Sequence, residues 1–154
     1  MPAVVYHLAH FNLAVARAAL DHPSMADFVA RLAPLNQLAR ASPGFVWMPE
    51  GEEAGSASAV FGDERLLPNL SVWTGVDELQ RFVYEGLHLA ALDRRSDWFE
   101  APHGPAYVLW WVPAGHRPPL IEAKHRLEHL RLSGPAPDAF TFKVPFQPPE
   151  VFPS

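Results

Sequence analysis

Proline placement constrains this chain more than any other feature. Of its 154 residues 17 are Pro, concentrated between Pro102 and Pro119 and again from Pro135 to Pro153. Proline lacks the amide donor and fixes its own φ, so the last stretch, PFQPPEVFPS, is excluded from helix interiors and central strands. It reads as extended chain, with one domain over residues 1–146 and a Pro-rich tail over 147–154. Pro105 and Pro113 bracket Tyr107–Val112 (YVLWWV), a run of β-formers short enough for a single strand.

The other elements follow from spacing. A strand is expected over Tyr6–Leu13. A helix with Ser24 as N-cap should carry Phe28, Leu32, Leu35 and Leu38 or Ala39 on one face and end near Ala41, kinked at Pro34. Strands over Phe45–Met48 and Pro68–Thr74 come next, separated by a loop over Pro49–Ser58. A helix starts at Asp77, breaks at Gly86 and continues over Leu87–Phe99; a further one spans Leu120–Leu132, and a last short strand Phe140–Val144. The order βαββαβ plus one helix and strand predicts an α+β, ferredoxin-like sandwich. Helices on one face leave the other face of the sheet bare, and a second copy is the expected cover, which makes a homodimer.

Composition narrows the function. A formal charge of −5 argues against a nucleic-acid surface. Hydrophobic residues at 49% supply a core, and the absence of Cys excludes thiolate chemistry and Cys-ligated metals. No apolar run reaches the roughly 20 residues that span a bilayer. His7, His10 and Asn12 interrupt the apolar N-terminal stretch, so no signal peptide is read there. A cytoplasmic protein acting on a small molecule, with neither nucleic acid nor membrane as partner, is the expectation.

Strand side chains alternate faces. His10 and Asn12 fall on one face of the first strand; Asn69, Ser71 and Trp73 share one face of the third. These strands are central neighbours in a ferredoxin-like sheet, so the polar sets should lie side by side. The apolar sets are expected to take the helices, leaving the polar ones on the open face as a pocket. Trp110 and Trp111 must send one indole to each face.

The stretches HLAHFNLA, SPGFVW, NLSVWTGVDELQRFVYEGLHLAALDRRSDWF and VLWWVPAGHRPPLIEAKHRLEHLRLSGPAPDAFTF resemble a bacterial family catalogued as domain of unknown function 3291. That family is similar in architecture to antibiotic-biosynthesis and haem-degrading monooxygenases, and the resemblance implies a dimeric α/β barrel. Haem-degrading relatives use an Asn on the first strand, a Trp on the third and a His on the following helix. The resemblance therefore points to Asn12, Trp73 and His88, with a longer Trp-to-His interval here that contains Gly86.

The reading that follows is an enzyme without a tightly held cofactor, of monooxygenase, cyclase, isomerase or lyase type, acting on a planar or carbonyl-bearing substrate. His88 or His10 would move the proton while Asn12 and Trp73 hold negative charge. Tyr84, Ser71, Asn69 and Trp111 are expected to line the substrate. Two alternatives stay open: a haem protein with an axial His88 or His10, and a non-catalytic ligand-binding or dimerisation module. Glu122, His125 and His129 have metal-ligand spacing on a helix. They point away from the stripe Leu120, Ala123, Leu127 and Leu130, so a solvated face is expected and no metal site.

Overall fold

The computed structural model describes residues 4–49, 60–63, 65–89, 95–102 and 104–149, with the backbone alone for 87–89. Strands β1 (Tyr6–Val15), β2 (Phe45–Trp47), β3 (Leu66–Trp73) and β4 (Tyr107–Pro113) form an antiparallel sheet in the order β2-β3-β1-β4. Helix α1 (Ala26–Ala41) links β1 to β2, and α2 (Val76–Leu89) follows β3. The short α3 (Arg95–Trp98) precedes β4, and α4 (Leu120–Ser133) follows it. With β1 and β3 central, this is the ferredoxin-like α+β arrangement the element order predicts.

Several boundaries differ for local reasons. The entry to α1 is a 3-10 turn, Pro23–Met25, capped by the His22 ring, whose Nδ1 accepts from the Ser24 amide at 3.1 Å. Ser24 is therefore inside the turn rather than capping it. Helix α1 continues through Pro34. Helix α2 likewise continues through Gly86, where an added Cβ would lie 3.2 Å from Leu35 Cδ1; this glycine lets α2 approach α1. Gly44, at φ +86°, turns the chain from α1 into β2, and a Cβ there would meet Glu78 at 2.5 Å. The expected final strand reduces to one bridge, Phe140 with Leu109, because the Phe142 amide bonds the Tyr107 hydroxyl instead of a ladder carbonyl. The expected loop at Pro49–Ser58 falls, from residue 50 on, outside the described residues, as does the middle of the expected Leu87–Phe99 helix.

The sheet carries helices on both faces, which corrects the expectation of an open face bearing the polar set. The register places Leu8, His10 and Asn12 opposite Trp73, Ser71 and Asn69 on one side and Trp111, Leu109 and Tyr107 on the other. This is the face that takes the helix pair: Leu8, Trp73 and Leu109 pack with Ala39 of α1 and with Leu79, Phe82 and Val83 of α2. The opposite face, with Ala9, Phe11, Val72, Val108 and Trp110, takes Leu120, Ala123, Leu127 and Leu130 of α4. The polar set therefore lies beneath helices and not on an open face. The physical reason is that Trp73, Leu8, Leu109 and Trp111 give the polar face enough apolar area to hold two helices, while α4 satisfies the more apolar one. A sheet whose second face is covered by its own chain no longer demands a second copy there.

Candidate functional site

The inner face of the sheet, beneath α1 and α2, is organised in three rows across the strands. Trp111, Leu8 and Trp73 form the first, Leu109, His10 and Ser71 the second, and Tyr107, Asn12 and Asn69 the third. Rows are two residues apart, about 7 Å, so the polar groups of the second and third lie within one small ligand's reach. Burial falls along this direction: Trp73 is wholly enclosed, Asn12 is half-buried and Asn69 is exposed. The polar rows thus lie between two apolar clusters, Leu8, Trp73 and Leu109 at one end and Ala16, Met25 and Trp98 at the other.

His10 lies between the two ends. It is 8% exposed, and burial lowers its pKa from 6.5 to about 4, because the charged imidazolium would lose its hydration there. It is therefore neutral at pH 7. Its ring lies 6.2 Å from that of Tyr107 and makes no hydrogen bond to a described residue. A sealed, partnerless imidazole nitrogen does occur in this sheet, but it is Nδ1 of His7, on the opposite face.

The two predicted indoles are on this face, yet neither has a spare donor. Trp73 Nε1 donates to Ser71 Oγ at 2.9 Å, and Phe82 stacks on the ring at 5.0 Å and 22°. Trp111 Nε1 donates to the Phe146 carbonyl at 2.8 Å. Both are walls. Along β4 the C-terminal segment closes the face: Phe140 is fully buried, Phe140 and Phe146 rings meet at 5.8 Å, and the Phe142 amide donates to Tyr107 Oη at 3.1 Å.

Two predicted residues are not brought to these rows by the described structure. Tyr84 is 68% exposed on α2, away from buried Leu79. His88 belongs to α2 by backbone, but its side chain lies outside the described residues. Its position is nine residues beyond Leu79, half a turn round the helix at about 100° per residue. Sequence reasoning missed Tyr107, which reads as one more β-former in YVLWWV; its parity with Leu109 and Trp111 was the available signal.

The polar face of α4 is more engaged than its spacing suggests. Glu122 Oε2 accepts from the buried Trp110 indole at 2.9 Å and Oε1 pairs with His116 Nε2 at 2.8 Å. His129 Nε2 lies 3.6 Å from Asp138 Oδ1, and Arg126 Nη1 lies 3.6 Å from Asp138 Oδ2. Among the described residues no group of three or more His, Asp or Glu is placed to hold a metal ion. A haem iron takes a neutral imidazole, which His10 supplies, but a porphyrin also needs a bare aromatic slot. Phe82 fills that position over Trp73, and the side chain of His88, the other axial candidate, lies outside the described residues. No helix of the described residues is long and apolar enough to cross a membrane.

Fold and face together define a ferredoxin-like α+β domain with a neutral polar strip under its helix pair. The chain belongs to the family described as a domain of unknown function (DUF3291), whose model matches residues 7–153. No curated protein matches the sequence. Among solved structures it is similar to SnoaB of Streptomyces nogalater, described as a cofactor-independent oxygenase. The two are 17% identical, the likeness covers 75% of this chain and 97% of that one, and the TM-score is 0.39.

Proposed function

We propose that this chain is a small-molecule enzyme that uses His10 for acid–base chemistry on a planar, carbonyl-bearing substrate, without a bound cofactor. The observation that supports it is the state of His10: an imidazole held neutral, beside Ser71, Asn12 and Tyr107, whose nitrogens no described residue occupies.

A neutral imidazole accepts a proton at one nitrogen and donates at the other. With a pKa of about 4, His10 is a weak base toward bulk water at pH 7. Next to a forming enolate its proton affinity rises, since the ion pair is created where little water screens it. The substrate's α C–H gives its proton to His10 and the electron pair moves onto the carbonyl oxygen. In this reading the Asn12 and Asn69 amides, paired in the adjoining row, donate to that oxygen. Return of the proton at another position completes an isomerisation that needs no further reactant; cyclisation and elimination start from the same transfer, and oxygenation would add molecular oxygen as second substrate. Trp111, which is half-buried, walls the planar substrate, while Trp73, enclosed beneath Phe82, holds Ser71 in place from behind the site.

The test is proton exchange. In deuterated buffer the C1 protons of 2-tetralone, followed by NMR, should be lost faster with the protein than with buffer alone, and His10→Gln should return the rate to that of buffer. A wild-type protein that leaves the buffer rate unchanged would contradict the reading.

A further inference from the structure

We infer that Tyr107 is a further substrate-contacting residue of this site: its hydroxyl donates to the carbonyl oxygen of an uncharged molecule bound beside His10. The inference rests on the reading of the His10 rows as a substrate site and adds to it the donor and the charge class of the ligand.

A phenol has one proton to give and lone pairs to share. The Tyr107 oxygen already accepts the backbone amide of Phe142 at 3.1 Å, which fixes where its lone pair goes. Its own proton has no acceptor among the described residues. Accepting one hydrogen bond polarises the O–H and strengthens the bond it donates. The ring is half-buried and held between Phe142, centroids 5.6 Å apart, and His10 at 6.2 Å, so the hydroxyl is fixed in place before a ligand arrives. In register Tyr107 lies directly opposite Asn12, which lies opposite Asn69. Three neutral hydrogen-bonding side chains thus cross the sheet in one row, adjacent to the row of His10 and Ser71. None of the five bears a charge at neutral pH. A carboxylate or phosphate entering here would lose its hydration without meeting an opposite charge from the strands, whereas a ketone or phenol loses little and gains the donors.

The experiment uses 2-tetralone with the full chain and its Tyr107→Phe variant, which keeps the ring. With wild type the carbonyl stretch of the bound ketone should move to lower frequency, and exchange at C1 should be catalysed. In Tyr107→Phe the stretch should return toward its value in apolar solvent while the ketone still binds. Exchange should fall on the order of 100-fold, the usual cost of removing one oxyanion donor. A merely structural role, the loss of the acceptor for Phe142, would lower the melting temperature and leave the stretch where it was. Displacement of the ketone by neutral 2-naphthol but not by 2-naphthoate is expected; equal displacement by naphthoate overturns the charge class. An active variant with an unmoved stretch overturns the role of Tyr107 and leaves His10 standing. Absence of exchange with wild type removes both.

Discussion

His10 makes a measurable demand on the fold. In the unfolded chain its imidazole takes up a proton near pH 6.5, whereas in the fold it does so only near pH 4. Between those values the unfolded chain binds the extra proton, so stability present above pH 6.5 is lost as pH falls toward 4, and the loss levels off below. At about 1.4 kcal/mol per pH unit, the difference between 6.5 and about 4 bounds the effect at about 3 kcal/mol. Urea denaturation from pH 7.5 to pH 4 should show this slope in wild type and a shallower one in His10→Gln; identical slopes would mean that His10 titrates normally. At this scale much was legible: period-two alternation alone groups His10 and Asn12 on one face and Asn69, Ser71 and Trp73 on another. What alternation does not carry is commitment. That the Trp73 indole is used up by Ser71 depends on a side-chain torsion, and no spacing rule encodes it.

Elements were read well where a stripe meets a stop. Helix α4 runs from Leu120 to Ser133, between Pro119 and Gly134, and buries the four residues its period selects. Gly86 misled because it is a breaker in isolation, while packing overrides propensity in place: it is the point where α2 meets Leu35 of α1. Leu79, fully buried, is the centre of the α2 contact with Leu8 and Trp73. Leu79→Ala should cost about 2–5 kcal/mol in chemical denaturation, the range for a leucine removed from a packed interior. A loss below half a kcal/mol would mean that α2 does not rest on the polar-row face through this residue.

For the whole molecule, the sequence shows that one face of the sheet is apolar and the other mixed; it does not show which layer each receives. The choice depends on where α4 returns after β4, a tertiary fact that its stripe leaves open. α4 takes the apolar face and the α1–α2 pair the mixed one, so the candidate site lies under the helix pair of its own chain. His7 and His10 record this arrangement, because they are on opposite faces of the same strand: His7 toward the α4 side, His10 under the helix pair. The most direct measurement is an NMR titration of histidine-labelled protein with 2-tetralone. The account predicts that the ring signals of His10 shift with ligand while those of His7 stay in place. Shifts confined to His7, or to His125 and His129 on α4, would put the ligand on the other side of the sheet and contradict it.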